Sequence, residues 1–102
     1  MEHEFRGGRF YLHRSPEEKA PLLQHLSRVE GQVRGLRQMI EEDRYCLDEV
    51  QQANAITAAV REVALLVIRD HLEAAVRLAV TSGDGSVAVK EVVTVLRAAL
   101  RQ

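Results

Sequence analysis

Between Arg44 and Ser82 the chain reads RYCLDEVQQANAITAAVREVALLVIRDHLEAAVRLAVTS, with no glycine and no proline. Nothing in this stretch removes a backbone donor or frees the backbone torsions, so it predicts one long helix. It carries the chain's only cysteine, Cys46, and, 25 positions later, one of its four histidines, His71. At about 3.6 residues per turn the interval is close to seven whole turns. The two side chains then share a face but lie roughly 37 Å apart along the axis. One helix cannot bring them to a common ion or substrate. Two such helices, antiparallel about a two-fold axis near Ala58 and Ala59, would set Cys46 of one chain beside His71 of the other, twice. Ala53, Ala55, Ala58, Ala59 and Ala64 keep the midpoint slim enough for a close approach. The expectation is a symmetric dimer with two shared Cys/His sites.

A chain of 102 residues supports one domain with a modest core. Apolar residues make up 46% and charged residues 28%, a globular balance. With no tryptophan and all four aromatics (Phe5, Phe10, Tyr11, Tyr45) before Cys46, the remaining core must be Leu, Val, Ile and Ala. A single cysteine rules out an internal disulfide and fits a reducing cytoplasm, the expected location. No charged-then-apolar leader and no long uncharged apolar run points to a membrane. The net charge of −1 does not by itself suggest nucleic acid. Residues 1–37 hold seven Lys/Arg against five Asp/Glu, and residues 38–102 seven against ten, so the N-terminal third is slightly the more basic.

Residues 1–14, MEHEFRGGRFYLHR, show no period and contain Gly7-Gly8; they read as a flexible arm before a single helical domain spanning residues 15–102. Ser15-Pro16-Glu17-Glu18 has the makings of a capping box with proline in the first turn. Pro21 then implies either a kink or a regular helix beginning near Ala20. Leu22, Leu26, Val29, Val33, Leu36 and Ile40 form an apolar seam at alternating spacings of four and three. Gly31 and Gly35 cost about 1 kcal/mol each against alanine and suggest a close approach of another backbone. Asp43 is positioned to cap the long helix. That helix carries an apolar stripe too wide for a surface element, from Leu47 and Val50 through Leu66 and Val67 to Val76 and Val80. Gly83 can terminate it, and Ser86 opens a third helix with Val89, Val92, Val93, Leu96 and Leu100 on its apolar face. Three helices with uncovered seams form an all-α protomer with a long central helix that needs company.

A thiolate with an imidazole is a soft donor set suited to Cu(I) or Zn(II), and a thiolate is also the main side-chain nucleophile. The plainer alternative is a buried cysteine and an unrelated surface histidine. A closed zinc site wants four ligands, and the natural third donor would stand one turn beyond His71. That position is Ala75, and neither Asp70 nor Glu73 lies one turn along the same face. Paired carboxylates, a Ser/His/Asp set and a phosphate loop are all missing, so an enzyme is not expected.

The string RVEGQVRGLRQMIEEDRYCLDEVQQ, with RDHLEAAV following around His71, resembles the CsoR/RcnR family of small all-helical bacterial repressors, over roughly residues 15–101. The resemblance implies an antiparallel dimer with a four-helix-bundle-like core, paired into a homotetramer as a dimer of dimers. It also implies operator DNA as partner, bound without a conventional helix-turn-helix and released when an effector binds at the dimer interface. Carried over by residue, Cys46 and His71 match ligands from different protomers, and Tyr45 and Glu91 match the outer pair of copper-sensing members. The sequence departs at Ala75, where copper sensors carry cysteine and nickel/cobalt sensors histidine. The preferred effector is Cu(I), two-coordinate between Cys46 and His71 and able to recruit a third donor such as His13 from the arm. The alternatives are a formaldehyde- or electrophile-sensing repressor using Cys46 as nucleophile, and a structural helical oligomer without DNA binding. Lys19, Arg28, Arg34, Arg37 and Arg61 are the candidate DNA contacts. The competing reading of those cations is a solvated face, since Glu30–Arg34 and Arg37–Glu41 have the spacing of intrahelical pairs.

Overall fold

The computed structural model describes residues 1–101 as a β-hairpin followed by three helices: β1 (Glu2–Arg6), β2 (Arg9–His13), α1 (Pro16–Glu41), α2 (Cys46–Ser82) and α3 (Ser86–Leu100). The glycine- and proline-free stretch is one uninterrupted helix of 37 residues. α1 packs antiparallel along the first half of α2, and α3 folds back against its second half, giving a molecule 59 × 30 × 21 Å in extent.

Helix α1 starts as its sequence dictates. The Glu18 backbone N–H donates to Ser15 Oγ at 3.2 Å, and the Ser15 N–H donates to Glu18 Oε1 at 2.9 Å. The Ser15 N–H, more than any other neighbour, holds the Glu18 carboxyl below its ordinary value. The unfolded carboxyl titrates higher, so this contribution is present near neutral pH and is lost as pH falls through the carboxylate range. Pro21 does not delay α1, which begins at Pro16 and runs through it. It removes only the donor for the carbonyl of Glu17, an exposed residue where water can serve instead.

Two local expectations need correction. Residues 1–14 are not an element-free arm. Gly7 and Gly8 take positive φ (55° and 76°), the requirement of a tight two-residue hairpin turn, and Phe5 pairs with Phe10 and His3 with Leu12 across the ladder. Asp43 does not cap α2. It sits in the left-handed region at φ 54° and closes α1 instead, donating its N–H to the Ile40 carbonyl; a short polar side chain tolerates that conformation better than a branched one. The N-cap position of α2 falls to Tyr45, whose side chain makes no capping bond.

Gly35 meets the side chain of Gln52, whose amide donates to the Gln32 carbonyl at 3.0 Å and ties α2 to α1; a Cβ on Gly35 would lie 3.4 Å from that amide. At the far end of α2, Gly83 takes φ 73° and donates to the Ala79 carbonyl. Because its conformation, not its surroundings, demands glycine, Gly83→Ala is expected to cost about 1 kcal/mol and to lower the thermal midpoint by a few degrees in a calorimetric scan.

The interior is thin. Among the described residues the buried apolar side chains are Phe10, Val29, Ala74, Ala75 and Ala88, and no large side chain is completely sealed. By contrast Leu65, Val76 and Val80 are 54%, 61% and 76% exposed along α2. Covering such a residue is worth about 1.5–3 kcal/mol, so most of the apolar free energy of these helices is unspent within one protomer. No helix among the described residues is long and apolar enough to cross a membrane.

Candidate effector site

Cys46 is the first residue of α2, exposed and free; the adjoining Tyr45 is 70% exposed. His71 lies on the second half of the same helix and is buried beneath two neighbouring elements. From α3, Glu91 brings Oε2 to 3.4 Å from His71 Nε2. That contact lies off the direction of the ring N–H, so Nε2 is enclosed without a true hydrogen bond, and we read the pair as an electrostatic contact. From the hairpin, the Phe10 ring stands edge-on to the imidazole, with centroids 5.4 Å apart and planes at 76°. Beside it, Arg14 Nε donates to Asp70 Oδ2 at 2.9 Å, and both side chains are largely buried.

The straight run of α2 keeps Cys46 and His71 about seven turns apart, so one protomer cannot join them. Among the described residues no group of three or more potential ligands converges within the chain. Tyr45 and Glu91 are likewise apart, each beside its own donor: Tyr45 next to Cys46, Glu91 against His71. Ala75 is fully buried one turn beyond His71, where it borders an apolar cleft of ≈ 420 Å³ between α2 and α3, with Val76, Ala79, Ala88, Val89 and Val92. His13 is not placed to be a third donor in its own chain. Strand alternation puts it on the hairpin face opposite Phe10, where its Nε2 pairs with Glu4 Oε1 at 2.7 Å.

The donors suit the ion expected. Glu91 faces Nε2 of His71, so Nδ1 is the ring nitrogen not set against a carboxylate, and the Cys46 thiol is exposed. A soft sulfur with one nitrogen fits Cu(I) better than an ion that needs four or more hard donors.

The five candidate DNA contacts are all exposed. Arg37 is tied to Glu41 at 3.0 Å, whereas Arg34 forms no ion pair with Glu30. On α1 the helical angles place Lys19, Arg34 and Arg37 within an arc of about 60°, while Arg28 turns to the far side of the exposed face. Arg61 stands on α2 in a shallow cleft shared with Arg101 after α3.

Two contributors escaped sequence reasoning: Phe10 and the Arg14–Asp70 pair. The signal for the first was present, since HEF and RFYL alternate about a Gly-Gly turn. Nothing local announces that Arg14 meets a residue 56 positions away.

This arrangement, three helices with a thiol at one end of the longest and a buried imidazole near the other, is that of a helical effector-responsive regulator. Residues 18–98 match the family model described as metal-sensitive transcriptional repressor, and the chain belongs to that family. The copper-sensing transcriptional repressor CsoR of Bacillus subtilis (strain 168) is 44% identical over 85 residues, 83% of this chain and 84% of the relative. The copper-sensing repressor RicR of Mycobacterium tuberculosis (strain ATCC 25618 / H37Rv) is 45% identical over 80 residues, covering 74% and 83%. Two solved structures superpose closely. The nickel-responsive transcriptional regulator InrS has a TM-score of 0.77 at 29% identity, covering 88% of this chain and 98% of its own. The Cu(I)-bound repressor CsoR from Geobacillus thermodenitrificans NG80-2 has 0.76 at 34% identity, covering 89% and 95%. The fold therefore accommodates regulators named for different metals, and the donor set has to decide between them.

Proposed function

We propose that this chain is a copper-responsive repressor that binds operator DNA as a dimer of antiparallel dimers. Cu(I) would be held between Cys46 of one protomer and His71 of the other. The observation that carries this reading is the split donor pair: an exposed thiol at the start of one uninterrupted helix and a buried imidazole, faced by a carboxylate, on its second half. Antiparallel pairing of two such helices joins the donors, and the same pairing brings Tyr45 toward Glu91. The uncovered apolar stripe of α2 supports the association.

When bound, the ion supplies a bridge between protomers; the residues of the chain do the rest. Cys46 would offer the thiolate and His71 would offer Nδ1, with Glu91 standing against the other ring nitrogen as an outer partner. The bridged shape fits DNA less well than the unbridged one, so occupancy weakens DNA binding by the coupling free energy, typically about 1–3 kcal/mol. The exposed Lys19 and Arg34 would meet phosphates.

Anaerobic Cu(I) titration against a chelating competitor, read alongside a DNA mobility shift, tests this. Tight binding with one ion per protomer and release of DNA is the expected result. Glu91→Ala should weaken Cu(I) by about 10–100-fold without abolishing it. A second reading rests on the exposed free thiol and the donorless Ala75: Cys46 as the nucleophile of an electrophile-sensing repressor. A mass increase confined to Cys46 after formaldehyde treatment, with weak Cu(I) binding, would replace the first reading with the second.

A further inference from the structure

The hairpin precedes the residues matched by the family model, yet it is docked rather than dangling. Three contacts hold it: the Met1 ammonium to Glu18 Oε2 at 3.2 Å, Arg14 to Asp70, and Phe10 on the His71 ring. Phe10 is itself packed by Phe5 at 5.2 Å and by His3 at 4.9 Å, so its ring is braced from behind. Asp70, the anchor for Arg14, directly precedes His71 on α2.

We propose that Phe10, secured by the Arg14–Asp70 pair, is a specificity-determining wall over His71, closing on its own protomer the space that a further ligand or water would need. At Ala75 the chain provides no third donor. Zn(II) bound by one thiolate and one imidazole would have to recruit water for its remaining positions. An apolar ring against the imidazole occupies one side of it and offers such water no hydrogen-bond partner there. Cu(I) is satisfied by few soft donors and loses nothing there. The hairpin therefore selects a low-coordinate soft ion by excluding solvent. Arg14 acts through Asp70 and Phe10, as a positioning residue.

The inference rests on the Cys46–His71 reading for the identity of the ion, and its test separates the two. The full-length metal-free protein is treated with diethyl pyrocarbonate, and acylation of each histidine is followed by peptide mass spectrometry, with the exposed His3 and His13 as internal references. In the wild type, His71 should react at least tenfold more slowly than His13. Phe10→Ala should bring it to within about threefold, Phe10→Leu should keep it slow, and Arg14→Gln should fall between. On the same proteins, the ratio of Cu(I) to Zn(II) affinity, measured with competing chelators, should drop at least tenfold in Phe10→Ala and recover in Phe10→Leu. Circular dichroism checks that each variant is folded, and Arg14→Gln carries the test if Phe10→Ala is not. An unchanged His71 rate, or an unchanged affinity ratio despite a faster rate, overturns the wall. If no protein binds Cu(I) while the acylation pattern is as stated, the ion assignment fails and the shielding of His71 by Phe10 stands.

Discussion

Replacing Cys46 by alanine is expected to weaken Cu(I) binding on the order of a thousandfold or more while leaving the fold and DNA binding intact. Thiolate is the soft donor on which Cu(I) affinity depends, and Cys46 is the only cysteine in the chain. The side chain is exposed and makes no hydrogen bond among the described residues, so its loss leaves no cavity and no orphaned partner. Stability should therefore change by no more than about 0.5 kcal/mol. The decisive measurement pairs chelator competition with a mobility shift in the presence of Cu(I): the variant should stay on DNA at ion concentrations that release the wild type. Release of both at the same concentration would mean that the switch does not pass through this thiol.

The second large effect concerns DNA. Lys19 and Arg34 lie on one arc of α1, are exposed, and have no ion-pair partner among the described residues, so each is free to displace a counterion from a phosphate. The double variant Lys19→Ala/Arg34→Ala is expected to lose about 100-fold in affinity at low salt. The slope of log affinity against log salt should become shallower by about two for each protomer that touches the DNA. Arg28→Ala, on the far side of the exposed face, should cost less, and Arg37→Ala little, because Glu41 already neutralises Arg37. Fluorescence anisotropy across a salt series would read both quantities. Equal losses for Arg28 and the pair would move the DNA surface to another face.

Much of this was legible in the chain itself. The absence of Gly and Pro across α2 marked an uninterrupted helix, and the seven-turn interval between Cys46 and His71 showed that one protomer could not unite them. Ser15, Pro16 and Glu18 announced the start of α1, and Gly83 the end of α2, because capping is local chemistry. What failed to show was long-range or double-edged. Asp43 suits either a helix start or a left-handed stop, and the choice depends on where α1 runs out of partners. The Gly7-Gly8 turn was visible, but five-residue strands carry too little alternation to outweigh the look of a loose arm. That Phe10 would lie on His71 follows only from how the hairpin docks, which no spacing encodes.

If Cys46 and His71 are the two halves of a shared site, the single rod that carries both imposes a rule on the length of the chain. One residue inserted between them would swing the distal half by about 100° around the barrel of the helix and take both copies of the proposed site out of phase at a stroke. Loops elsewhere can lengthen or shrink; this interval behaves like the tooth count of a gear, and it can change only in steps that restore the mesh.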